Sequence, residues 1–329
     1  MKASLLYVVL VLAFAGPAAA KEPPLRGPSF FFANIEQGRQ ILTNRDDFVL
    51  ALSPFDRAAR MKTDLQISEK DYLDFVARNV LDWNADEREL AQSALTELQP
   101  RLGALALPFP ESILLIKTTG AEEGGAEYTR ANAIVLAQSA LKKAQRGNLQ
   151  ATIAHELFHV LSRENPALKE RLYAVIGFQS CGEITFPREL AERKITNPDA
   201  PRNDHCIRLK LGDESLWAVP ILFSSSAHYD MARGGEFFQY LNLQFLVVER
   251  KDEGPGAKAT YDTSHPRLLS AEQVSGFYEQ VGRNTSYIIH PEEILADNFK
   301  MLLLQEKHVS SPEILQKLGL ALGHQPLTH

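Results

Sequence analysis

The sequence predicts an α+β protein, and three observations carry that prediction. From residue 34 to about 103, apolar residues recur at helical spacing. At Ser112 the character changes to short apolar runs of strand type, separated by a Gly-rich loop. Near the C-terminal end, the stretch from Pro291 to Leu304 is apolar almost all round at helical length, which predicts a buried helix.

Taken in order, the chain opens with Lys2, an apolar run from Leu5 to Ala15, the break Gly16-Pro17 and the small residues Ala18-Ala19-Ala20. That is the layout of a secretory signal peptide over residues 1–20. The run is too short to span a hydrocarbon core, and no later stretch is long enough either, so no transmembrane segment is expected after cleavage. The net charge is −6, and one more negative without Lys2. Such modest acidity excludes a nucleic-acid-binding surface as the main function. Residues 21–33 begin Pro-rich and predict an extended arm. A helical N-terminal lobe follows over 34–108. Within it, Ser68 precedes a helix carrying Tyr72, Phe75, Val76 and Val80, and a longer helix runs from about Ala85 to Arg101.

From residue 109 onward the pattern is mixed. Ile113–Thr118 and Tyr128–Leu136 read as two strands around Gly120–Gly125, predicting a hairpin. A helix from about Asn148 to Arg163 comes next, with Asn148 as its N-cap and Leu149, Ile153, Leu157, Val160 and Leu161 forming one apolar stripe. Asn165-Pro166 starts another helix. The stretch 176–265 reads as an insertion with strand-like runs at Trp217–Phe223 and Phe237–Val248. It contains both cysteines, Cys181 and Cys206. In an exported chain, two cysteines predict one disulfide.

Within the predicted 148–163 helix stands His155-Glu156-Leu157-Phe158-His159, an H-E-x-x-H sequence. Positions i and i+4 share a helix face, so the two imidazoles can hold one metal ion while Glu156 lies beside it as a base. With 9 histidines in 329 residues, a chance match is on the order of two per cent, so the motif needs context. The apolar stripe is centred opposite His155 and His159, which turns them toward a polar side or a cleft. The alternative is a pair of solvated surface histidines.

A partner for them is readable further along. Inside the apolar helix after His290-Pro291, Glu293 and Asp297 sit at i and i+4. Burying two carboxylates is costly unless something positive compensates them, as a zinc ion and its imidazole ligands would. Glu293 is then the third ligand, and Asp297 accepts the outer N–H of a ligand histidine. The competing reading treats Glu292, Glu293 and Asp297 as acids that complement the helix dipole. It suits Glu292 and Glu293 better than Asp297, which lies one turn deeper.

H-E-x-x-H followed by E-x-x-x-D resembles the gluzincin class of zinc metallopeptidases, the thermolysin-like clan. The resemblance covers the two motifs and about residues 112–165. It implies a zincin-like fold, in which a mixed sheet lays its edge strand on the active-site helix and a peptide substrate lies along that strand. Residues 109–329 would then form the catalytic domain. It implies one Zn2+ on His155, His159 and Glu293, with Glu156 as general base. The donor facing the developing oxyanion is not fixed by either motif; His290, Tyr287, Tyr229 and His228 are the candidates. The function expected is an exported, periplasmic or secreted metallopeptidase acting on peptides or proteins. Two further readings are a zinc hydrolase of another amide bond and a silent peptide-binding protein that keeps the metal site. Retention of Glu156 speaks against the last, because a binder needs the ligands but not the base.

Overall fold

The structure, a computed structural model, describes residues 27–143, 146–250 and 258–323. The expected signal peptide and the first residues of the arm lie outside them. The described chain begins with β1 (Ser29–Phe32), α1 (Ile35–Leu42), α2 (Asp47–Ala51), α3 (Pro54–Arg60), α4 (Glu69–Asn79) and β2 (Val80–Leu81). It continues through α5 (Ala85–Leu105), β3 (Ser112–Thr118), β4 (Tyr128–Arg130), β5 (Ala133–Ala137), α6 (Gln138–Lys143), α7 (Arg146–Glu164) and α8 (Pro166–Val175). Then come β6 (Phe178–Ser180), α9 (Arg188–Ala191), β7 (His205–Leu211), β8 (Glu214–Ser224), β9 (Leu241–Arg250), β10 (Ala259–Thr260) and β11 (Leu268–Leu269). The last helices are α10 (Tyr278–Val281), α11 (Pro291–Leu304) and α12 (Pro312–Ala321). The protein is therefore mixed α+β, with two sheets among the described residues.

The first sheet has the order β1-β3-β5-β4, with β2 also paired to β3. Strands β1, β3 and β5 are parallel to one another, while β4 and β2 run antiparallel to their neighbours. Side chains alternate across it as a pleat requires. Ile113 and Leu115 of β3 and Ile134 and Leu136 of β5 join the core beneath α5 and α7. Ile116, Ala133 and Val135 face the opposite core, against α1 and α4. Both faces are covered, which explains why β5 is buried throughout.

The predicted hairpin is corrected in one respect. The two runs around Gly120–Gly125 do not pair as an antiparallel hairpin: β3 and β5 are parallel. The run 128–136 breaks at Ala131, which takes a left-handed φ of 49°, and the tight turn makes β4 and β5 the actual hairpin. Apolar content predicted strand at both runs, but a left-handed alanine has no sequence signal. The arm also differs from expectation in part, since its last residues form β1, in register with Ser112–Leu115.

The helices start where their caps dictate. Ser68 accepts from the amide of Asp71, Asn84 forms a reciprocal capping box with Glu87, and Pro166 and Pro291 occupy first-turn positions. Helix α7 starts at Arg146, so Asn148 lies inside it rather than capping it. Its stripe residues Leu149, Ile153, Leu157, Val160 and Leu161 are buried in the main core, together with Phe158. Its histidine face is covered as well, by α11, which packs along α7.

The second sheet, order β10-β9-β8-β7-β6 with β11 on β9, is antiparallel and spans the stretch read as an insertion. One face (Ile207, Leu209, Ala218, Phe245) joins the main core, and the other (Val219, Ile221, Phe223, Leu246) packs under a separate layer. Cys181 and Cys206 lie there as buried free thiols rather than as the expected disulfide. His205, beside them, is held between Asp204 at 2.6 Å and Glu170 at 3.0 Å. Burial would lower its pKa, but the bonds to Asp204 and Glu170 outweigh that and raise it.

Two stability measurements check these assignments. Leu157 is fully buried, and Leu157→Ala is expected to lower unfolding stability by about 2–5 kcal/mol in urea titrations. For His205, a folded pKa above the unfolded value of about 6.5 means its contribution is complete below that pH and fades as pH rises through the folded value. His205→Gln should therefore depress Tm more at pH about 5.5 than at pH about 9. An equal depression at both would show that the ion pair contributes nothing.

Candidate metal centre

Helices α7 and α11 bring the two sequence motifs face to face. Each histidine is held from behind by its own carboxylate. His155 Nδ1 lies 3.1 Å from Asp297 Oδ1, and His159 Nδ1 lies 3.2 Å from Glu292 Oε1. With Nδ1–H donating, both Nε2 atoms are left as lone-pair donors. Both point to the same oxygen: Glu293 Oε2 is 3.0 Å from His155 Nε2 and 3.6 Å from His159 Nε2. The imidazole rings meet edge to face, with centroids 4.9 Å apart.

The carboxylates are themselves fixed. Glu292 accepts from Tyr173 Oη at 2.5 Å and from Ser162 Oγ. Asp297 accepts from Lys300 Nζ at 2.6 Å and from Thr285 Oγ1. Glu293 uses its second oxygen to accept from Asn197 Nδ2 at 2.7 Å. Burial alone would raise the pKa of Glu292, yet the His159 bond, the charge of Lys169 and the other donors bring it down to about 2. Asp297 lies below the usual carboxylate range for the same reason, with His155, Lys300 and Thr285 overcoming burial.

Glu156 sits apart from this set. It is buried, and its Oε2 has no hydrogen-bond partner. Burial, and after it the charge of Asp199, raises its pKa to about 8. Asp199 accepts from the Thr129 amide at 2.7 Å and lies 3.9 Å from Arg163. Glu156, His159 and Asp199 offer ligand atoms within 4.8 Å of one another.

These residues fit a divalent cation. One ligand atom each from His155, His159 and Glu293 falls within 4.8 Å of the others, and His159 Nε2 is buried without a hydrogen-bond partner. The charge balance points the same way. Five carboxylates (Glu156, Asp199, Glu292, Glu293 and Asp297) converge here, while Lys300 and Arg163 are the Lys and Arg side chains at ion-pair distance among the described residues. Without a metal ion, the histidines take up the charge. Burial would depress both, but the Asp297 and Glu293 bonds lift His155 well above its ordinary value, and Asp199 and Glu293 lift His159 to about 9. A nitrogen, nitrogen, carboxylate donor set suits zinc and related borderline ions.

The four residues named as oxyanion donors are not equivalent. His290 caps α11, its Nδ1 accepting from the Glu292 amide at 3.1 Å. Burial, and then the charge of Lys169, lowers its pKa to about 4, so it is a neutral structural group. Tyr229 donates to the Gly235 carbonyl at 2.8 Å, within a cluster formed with Phe237 and Tyr240. His228 is exposed on the preceding loop. Tyr287 alone borders the site. Its phenol pKa is raised by burial and then by Glu293, Asp199 and Glu156, while the ring keeps 40 % of its surface exposed.

Sequence reasoning missed Glu292, Asp199 and Asn197. Glu292 had a signal: a helix apolar all round has no solvent side for a first-turn acid. Asp199 and Asn197 stand in Asn-Pro-Asp-Ala-Pro, which reads as turn composition and nothing more. Strand β4, at the edge of its sheet, also differs from what the resemblance implies. Its outward Thr129 amide is already taken by Asp199, so a peptide pairs there only by displacing it.

Comparison with known protein families, curated proteins and solved structures finds no match to this chain.

Glu292 provides the test of the histidine-backing arrangement. With zinc as the probe and a competing chelator, Glu292→Gln is expected to weaken binding by about 10–100-fold, and Glu293→Ala by more. Unchanged affinity in Glu292→Gln would exclude its role behind His159.

Proposed function

We propose that this chain is an exported zinc-dependent metallopeptidase of gluzincin type, with a zincin-like catalytic fold. The observation that carries the reading is the directed pair of imidazoles. Both Nδ1 atoms are backed by carboxylates, both Nε2 atoms converge on Glu293, and an unpartnered Glu156 carboxylate stands beside them. A purely structural cluster has no use for an orphaned buried carboxylate, which costs about 1–3 kcal/mol.

His155, His159 and Glu293 would hold the ion. Zinc supplies a lowered water pKa and polarisation of the scissile carbonyl. The chain's own residues do the rest. Asp297 and Glu292 keep the imidazoles in the Nδ1–H tautomer and raise their basicity. Glu156 takes the proton of the attacking water and returns it to the leaving amine nitrogen. Tyr287 would donate to the developing oxyanion. Asn197 and Asp199 wall the site on the side of the second sheet and restrict how a substrate approaches.

Export rests on the N-terminal segment. Among the described residues no helix is long and apolar enough to cross a membrane.

The test pairs metal content with hydrolysis of a broad peptide library. Glu156→Gln is expected to keep its zinc and lose about 10²–10⁴-fold in turnover relative to wild type. Equal rates in the two proteins reject Glu156 as base. A zinc-loaded wild type that cleaves no peptide removes the peptidase reading and favours the non-peptide amide alternative.

A further inference from the structure

Beside the metal centre lies a partly open pocket of about 40 Å³ whose apolar part the chemistry above does not use. It shares a wall with the centre: Asn197 and Asp199 line it, as does Tyr287, and Asn197 is the residue that donates to Glu293.

The lining has two parts. Ile195, Leu222, Phe237, Phe238, Leu241 and Ile289 supply its apolar surface. Glu123, Glu127 and Asp199 supply carboxylates, and no Lys, Arg or His is among the lining residues. The three acids differ in what they have already bound. Both oxygens of Glu123 are taken by Arg60, at 2.8 and 3.0 Å. Arg60 is also committed to Asp56 and to the Thr196 carbonyl, and its guanidinium stacks 4.3 Å from the Phe237 ring centroid. Asp199 accepts from the amide and hydroxyl of Thr129. Glu127 is the exception, because its Oε1 is buried and has no hydrogen-bond partner.

A buried acceptor without a donor is unfavourable, and a ligand that supplies the donor recovers the difference. An apolar lining with one unpaired carboxylate oxygen matches a side chain with an aliphatic stem and a cationic end. We propose that this cavity is a specificity pocket for a lysine or arginine side chain of the substrate, with the stem along Phe237, Phe238 and Leu241 and the cation on Glu127. This rests on the peptidase reading for what presents the side chain, and on the cavity alone for which side chain it is. Leucine or norleucine would lie on the same apolar surface but leave Glu127 unpaired. An acidic side chain would meet the like charge of Glu127.

A binding experiment separates the two claims. Zinc-supplied Glu156→Gln protein is titrated by calorimetry with short capped alanine peptides carrying lysine, norleucine or glutamate at each position in turn. At one position the lysine peptide is expected to bind at least ten-fold more tightly than the norleucine peptide, with glutamate weakest. Adding Glu127→Gln should collapse the lysine-to-norleucine ratio toward one, and Glu127→Lys should reverse the order toward glutamate. Equal binding of lysine and norleucine at every position overturns the proposal before any Glu127 variant is needed. So does a ratio that survives Glu127→Gln. If the Glu156→Gln protein selects lysine while wild type cleaves none of these peptides, the pocket stands and the peptidase reading falls.

Discussion

The seam between α7 and α11 is the constraint on which the rest of the structure depends. Along it, histidines from one helix meet carboxylates from the other, with His159, Glu292 and Glu293 buried and His155 and Asp297 largely so. Removing charged groups from solvent is unfavourable unless each finds partners in fixed geometry. The surroundings are arranged to meet that condition. Tyr173 comes from α8, Ser162 from α7, Thr285 from the loop before α11, and Asn197 from the segment after α9. Four separate parts of the chain thus fix the orientation of three side chains on one helix.

A second buried network positions the opposite wall. Arg60 and Asp56 of α3 bind Glu123, the Thr196 carbonyl and the Thr196 amide and hydroxyl. This anchors the segment whose next residues, Asn197 to Asp199, reach the candidate metal centre. The N-terminal helices therefore act on the site from a distance, by holding the strip of backbone that closes it. Both the candidate ion-binding face and the adjoining cavity depend on that anchorage, which gives a buried arginine on a short helix a part in the site far from the candidate ligands in sequence.

How much of this was legible beforehand depended on whether the signal was local. The i, i+4 spacing of His155 and His159, and of Glu293 and Asp297, is a property of one helix at a time, and periodicity reveals it. The burial of α11 was legible for the same reason. Pairing between distant segments was not. The parallel arrangement of β3 and β5 hangs on a left-handed Ala131, a residue that rarely signals a turn. Glu292 looked like a dipole-complementing acid because its partners, Ser162 and Tyr173, are known only once helices pack. Asp199 and Glu127 are ordinary loop acids in sequence, and become notable through what surrounds them. The free thiols of Cys181 and Cys206 show a related limit, since cysteine spacing predicts proximity but not oxidation state.

The distance along the chain between the two halves of the centre sets an order of events. His155 and Glu293 are 138 residues apart, and the second sheet lies between them. A chain emerging N-terminus first exposes both histidines long before the residues that complete the donor set. Until α11 has docked, two imidazoles offer a divalent ion only part of its coordination, and affinity coupled to folding stays low. Competence therefore arrives late and all at once, when the seam closes. A candidate centre assembled this way stays incomplete for as long as the chain is unfinished.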